Sequence, residues 1–162
     1  VVYLNPGSSA SRDFHENIFP QLKNDFIDTG IVSFYPKNFV TEDEIEKDSL
    51  NIAYALWLEC INDIKPEKYW EFYDNLFKTQ PDNPSLILKD IGISGDDFDY
   101  CMRNSRFAHL KEDIKEVEDF GINIVPAVYI GVNGKDNAII QGAGDYAQLR
   151  RALLFASAKV GA

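Results

Sequence analysis

The chain opens on Val1-Val2-Tyr3-Leu4-Asn5-Pro6-Gly7-Ser8-Ser9-Ala10-Ser11-Arg12-Asp13-Phe14-His15, and these residues decide the fold. Val1 to Leu4 are β-branched, aromatic or aliphatic and predict a short strand. Asn5-Pro6-Gly7 stops it, because proline has no N–H to give a ladder and glycine admits the backbone angles of a tight turn. A helical pattern then runs through Phe14, Ile18, Leu22 and Phe26. Thr29-Gly30 ends the helix, and residues 31–35 read as a second strand closed by Pro36. The opening unit is β-α-β.

Outward from there, residues 41–120 are helical in pattern. Thr41-Glu42-Asp43-Glu44 predicts a capping box with an acidic first turn. Leu50, Ala53, Tyr54, Trp57 and Leu58 form one apolar stripe, and Pro66 opens a helix carrying Tyr69, Trp70, Tyr73, Leu76 and Phe77. Pro81 and Pro84 break the chain. Short helices are predicted at 86–91, 96–103 and 107–118, separated by Gly92, Gly95 and Asn104-Ser105. After Gly121 the pattern returns to strand: Val128-Tyr129-Ile130-Gly131, a turn at Asn133-Gly134-Lys135, then Ala138-Ile139-Ile140. Residues 146–158 predict a closing amphipathic helix with Leu149, Leu153 and Ala156 on one face. The order β-α-β, helical block, β-β, α folds under the right-handed crossover rule into one helix-covered sheet, with the block inserted between its two halves.

A chain of 162 residues with 45% hydrophobic and 13% aromatic content buries a real core, which excludes a disordered role. Sixteen basic against twenty-six acidic side chains leave a net charge of −10, which repels phosphate backbones and anionic headgroups; no nucleic acid and no membrane partner is expected. No apolar run reaches membrane-spanning length, and no charged leader stands before Val1, so a targeting segment reads as removed or never present. Cys60 and Cys101 are an even pair on two predicted helices, open to one disulfide or to two buried thiols. His109 has only Glu112 and Asp113 at helical spacing, a surface pattern that predicts no metal site. The acidic stretches 42–48 and 112–119 read as solvated helix faces, and Tyr69, Trp70, Phe72, Tyr73 and Phe77 as core packing.

Two segments carry a resemblance. Ser8-Ser9-Ala10-Ser11-Arg12-Asp13-Phe14-His15 after a strand, and Gly121-Ile122-Asn123-Ile124-Val125-Pro126-Ala127-Val128-Tyr129-Ile130 before a hairpin, resemble the DsbA-like thiol–disulfide oxidoreductases of the thioredoxin superfamily. Those proteins carry C-x-x-C at the start of the first helix, then an aromatic and often a histidine, and later a cis-proline loop. The resemblance covers nearly the whole chain. It implies an α/β, thioredoxin-like fold with an inserted helical subdomain, residues 1–40 and 120–162 forming the thioredoxin-like domain and 41–119 the insertion. It also implies disulfide formation or exchange in protein or peptide dithiol substrates, a redox partner, no organic cofactor, and a periplasmic or secreted location. Val125 and Pro126 take the substrate-docking role. His15, a turn beyond Ser11, is a candidate modulator and is expected to be partly exposed. An oxidising compartment favours a Cys60–Cys101 bridge, which would close a loop of about 40 residues.

The departure from the family lies at the chemistry. In the family's motif a thiolate at the first position meets unpaired N–H groups and the positive end of the helix dipole, which lower its pKa; a second cysteine one turn on resolves the mixed disulfide. Here Ser8 and Ser11 occupy both positions, and a hydroxyl forms no disulfide. The expectation is a redox-inactive form, read as Cys→Ser replacement in a parent carrying Cys-Ser-Ala-Cys. Two alternatives stand beside it. A kappa-type glutathione transferase resembles the same layout and uses a motif serine to hold a thiolate, and a naturally redox-dead homologue would keep the peptide groove alone. Val40 also stands where relatives commonly carry proline.

Overall fold

β1 (Val2–Leu4) is buried at every residue and pairs antiparallel with β3 (Ala127–Val132) in the computed structural model, which describes residues 1–47, 49–105, 107–132 and 135–158. β3 in turn pairs with β4 (Lys135–Gln141), and with β2 (Pro36–Asn38) the sheet order is β2-β1-β3-β4. The turn expected at Asn133-Gly134 lies outside the described residues. The chain divides into two compact units: one of Val1–Leu4, Ser8–Lys37 and Asp119–Ala162, the other of Asn5–Gly7 and Asn38–Glu118. This is a thioredoxin-like α/β fold with a helical insertion.

In the first unit, α1 is one continuous helix assembled from Ser9–Asp13, Phe14–Ile18, Phe19–Leu22 and Lys23–Ile27, the second and fourth segments being π-helical. Its sequence explains the widening. Phe14, Ile18, Leu22 and Phe26 recur every four residues, so in a 3.6-residue helix each would overshoot its predecessor by about 40° and the stripe would slide off the core. Turns closed by Phe19 N–H to the Phe14 carbonyl and Asp28 N–H to the Lys23 carbonyl take up the excess, and all four side chains stay buried. Burial of side chains this size stabilises by about 1.5–3 kcal/mol each. Pro20, which has no N–H to give, sits just past the first widened turn.

The second strand falls later than its sequence suggests. Residues 31–35 are not a strand: after Gly30 (φ 74°), the N–H groups of Ile31 and Val32 both donate to the Phe26 carbonyl at 3.0 and 3.1 Å. Satisfying the end of α1 removes them from any ladder. The Tyr35 carbonyl accepts Val2 N–H at 2.9 Å, and Pro36 opens β2 instead of closing a strand.

The second unit holds α2 (Glu42–Glu46), α3 (Leu50–Ile64), a 3-10 turn (Pro66–Lys68) leading into α4 (Tyr69–Thr79), α5 (Ser85–Asp90), α6 (Gly95–Asn104) and α7 (Ala108–Asp119). Both halves of the Thr41/Glu44 capping box form. α3 is buried from Ile52 to Ile61 on more than one face, as befits the central helix of its unit, and Ile52 and Ala55 pack with Val40 and Leu110. Cys60 on α3 and Cys101 on α6 are joined in a disulfide with Cα atoms 5.8 Å apart. On α4, Phe72, Tyr73 and Phe77 are core, whereas Trp70 is nearly half exposed.

Three acidic side chains accept hydrogen bonds from groups distant in the chain, and two of them, Glu44 and Asp113, depart from a solvated-face reading. Glu59, one residue before the bridged cysteine, is buried and accepts the N–H groups of His109 (3.0 Å) and Leu110 (3.1 Å) at the start of α7, capping that helix from another. Burial pushes its carboxyl above the usual range, and the two backbone bonds oppose that push. The carboxylate facing the His109 ring is therefore Glu59, at 3.7 Å, a partner from a different helix. Asp113 is buried and accepts Asn38 N–H at 2.8 Å, and Glu44 takes hydrogen bonds from Asn5 and Asn51, so the acidic stretches are only partly solvated.

α8 (Tyr146–Ala158) returns to the first unit, where the Tyr146 hydroxyl donates to Asp25 Oδ2 at 2.5 Å and ties α8 to α1. The bond from Tyr146, then that from Asn24, lower the Asp25 carboxyl, while burial and then the Asp25 contact push Tyr146 up to about 12. Its contribution is thus fully present above 3.8 and below 10, lost as pH falls through the lowered Asp25 value or rises through about 12. Thermal melts of Tyr146→Phe should lie below those of the unaltered chain between those limits and converge with them on either side. A second measurement concerns the bridge: Cys60→Ala with Cys101→Ala frees a segment with a sequence separation of 41 residues. The chain-entropy relation then expects a loss of about 4 kcal/mol in urea unfolding.

Candidate functional site

Ser8 is the N-cap of α1. Its backbone is extended (φ −83°, ψ 127°), and its Oγ accepts the N–H of Ser11 at 3.4 Å, while its carbonyl accepts Arg12 N–H at 3.0 Å. A small oxygen-bearing side chain suits this place because the first helical N–H groups have no partner within the helix. Ser8 is half-buried, Ser9 and Ala10 are exposed, and Ser11 is 0% exposed. The two motif positions therefore differ in access. The first faces an approach from solvent; the second, one turn on, points inward in line with Phe14, His15 and Ile18.

His15 is buried, which corrects the expectation of partial exposure. Four residues beyond Ser11, it falls on the inward stripe, and its ring stacks on Phe19 at 5.8 Å with 13° between planes; Phe19 packs on Phe34. Among the described residues no three His, Cys, Asp or Glu side chains gather at metal-binding spacing. No helix among them is long and apolar enough to cross a membrane.

The proline segment comes to the same end of the sheet as the serines. Val2 pairs with Val128 and Tyr3 with Ala127, so the register continued by one residue sets Pro126 opposite Leu4, where β1 hands over to the turn before α1. The Val125–Pro126 peptide is cis, Pro126 is buried and Val125 half-buried. Pro126 offers its carbonyl to Ala143 N–H at 3.0 Å. Cys60 and Cys101 belong to the other unit.

Sequence reading missed Gln141. Its Oε1 accepts the N–H groups of Asn123 (2.9 Å) and Ile124 (3.2 Å), and its Nε2 donates to the Gly121 carbonyl (3.0 Å). The only trace in the sequence is an amide side chain between the strand-forming Ile139-Ile140 and Gly142, the latter at φ 67°. Periodicity assigns such a residue no role. The turn before α1 is similarly specific: Asn5 donates to the Phe39 carbonyl at 3.2 Å and accepts Gly7 N–H at 2.9 Å, and any Cβ on Gly7 would run into Asn51.

The fold is shared with known proteins. The curated relative Disulfide bond formation protein D of Bacillus subtilis (strain 168) is 24% identical over 151 residues, a match spanning 86% of this chain and 64% of the relative's length. BdbD from Bacillus subtilis in its oxidised form superposes with a TM-score of 0.78 at 21% identity, covering 97% of this chain and 85% of that one. Wolbachia pipientis alpha-DsbA1 does so with a TM-score of 0.79 at 18% identity, over 98% of this chain and 85% of its own. The thioredoxin family model matches residues 1–153, and with these superpositions the chain belongs to the thioredoxin family with a DsbA-like fold.

Proposed function

We propose that this chain is a DsbA-like thiol–disulfide oxidoreductase scaffold, acting on protein or peptide dithiols, in a form whose own chemistry is silenced by Ser8 and Ser11. The observation that carries the reading is the pair of hydroxyls one turn apart at the start of α1, the outer half-buried and the inner fully buried. A cysteine at Ser8 would meet the unpaired N–H groups that lower a thiol pKa, and a cysteine at Ser11 would stand ready to resolve the mixed disulfide. Val125 and Pro126 supply the docking edge, through main-chain groups that pair with an extended substrate. His15, packed on Phe19 behind the motif, tunes the site from the inside. Residues 1–40 and 120–162 form the redox domain and 41–119 the helical insertion.

The Cys60–Cys101 bridge supports work in an oxidising compartment, periplasmic or secreted, with a redox partner that recharges the active form. The serines are read as replacements in a Cys-Ser-Ala-Cys parent; serine codons at both positions in the native gene would make the redox-dead state natural instead.

The test is restoration. The chain as it stands should not oxidise a fluorogenic dithiol peptide above the buffer rate. Ser8→Cys with Ser11→Cys should oxidise it with turnover, the variant's new disulfide being reduced as the two peptide thiols are oxidised and re-formed by oxidised glutathione, which leaves as two thiols. With oxidised glutathione, Ser8→Cys alone should accumulate a mixed disulfide to one glutathione, the other glutathione leaving as thiol, visible by intact mass. A restored pair that is inert towards the peptide would favour a binding-only protein, and conjugation of an electrophile to glutathione by the unaltered chain would favour the transferase reading.

A further inference from the structure

Gln141 closes β4 opposite Ala127, the first residue of β3, so its side chain stands beside the loop that feeds that strand. One primary amide there satisfies three main-chain groups in a four-residue stretch: the Asn123 and Ile124 N–H groups on its oxygen and the Gly121 carbonyl on its nitrogen. Ala143 N–H holds the Pro126 carbonyl from the next turn of chain. The loop is thus pinned on both flanks. Ile124, whose N–H is held by Gln141, is 57% exposed, an apolar side chain left in water. The donor and acceptor are both required. Glutamate keeps the acceptors but loses the donor, and alanine loses all three bonds.

We propose that Gln141 is a positioning residue that pre-orders residues 121–124, so that Ile124 and the Val125 main chain meet an extended substrate as one fixed edge. This rests on the thiol–disulfide reading above. A loop ordered before binding loses less freedom when substrate arrives, so the pin acts on affinity for large substrates and little on the sulfur chemistry itself.

The experiment has two arms. In the serine-bearing chain, amide hydrogen exchange at Asn123 and Ile124 should be slow, should speed up about tenfold or more in Gln141→Ala, and should speed up less in Gln141→Glu. In the Ser8→Cys, Ser11→Cys background, Gln141→Ala should raise KM for the dithiol peptide about tenfold with kcat little altered. The rate with dithiothreitol, which needs no docking edge, should fall far less, and Gln141→Glu should recover part of the KM. Unaltered amide exchange, an unaltered peptide KM, or an equal loss with peptide and dithiothreitol would each overturn the assignment. If the cysteine-restored background fails on the peptide while the amide data hold, the catalytic reading has failed and Gln141 remains a loop clamp with no substrate role.

Discussion

The antiparallel pairing of β1 with β3 is the constraint on which the rest of the first unit depends. It is short, Val2 with Val128 and Tyr3 with Ala127, and is extended by a bond of 2.9 Å from Tyr129 N–H to the Val1 carbonyl. Because the strands run in opposite directions, the end of β1 that leads to Ser8 lies beside the end of β3 that follows Pro126. Slipping the register by one residue would turn the buried Tyr3 to the other face of the sheet and displace the proline relative to the cap. The start of α1, its cap and the cis-proline come to one end of the sheet through two residue pairs deep in the core.

The helical unit is organised differently, by side chains acting on backbone. A buried carboxylate, Glu59, serves the amino end of α7, while the adjacent Cys60 is bonded to α6, so consecutive residues of α3 fasten two other helices. An unpaired buried N–H costs about 1–3 kcal/mol, which is why a carboxylate can be kept in the core against its own desolvation.

Much of this was legible in the sequence because it is periodic or local. The capping box at Thr41, the terminal helix at 146–158 and the helices flanking Gly92 and Gly95 follow from spacing and stop signals. The strand at 31–35 misled because propensity does not record that the end of α1 claims its N–H groups. The repeat of four through Phe14, Ile18, Leu22 and Phe26 was visible, yet its consequence, π-helical widening, is a response to packing and has no residue signature. The roles of Glu59, Asp113 and Gln141 escaped that reading because each acts on backbone far away in the chain, where composition and spacing are silent.

The bond that joins Val1 to Tyr129 spans 128 residues. On the ribosome, β1 emerges long before β3 exists, whereas the helical unit consists mostly of neighbours in sequence and can condense in the interval. The edge of β1 that faces β3 is then left open, offering itself to any chain nearby. A chaperone would find that open edge of Val2-Tyr3-Leu4 a foothold until residues 127–132 arrive to close it.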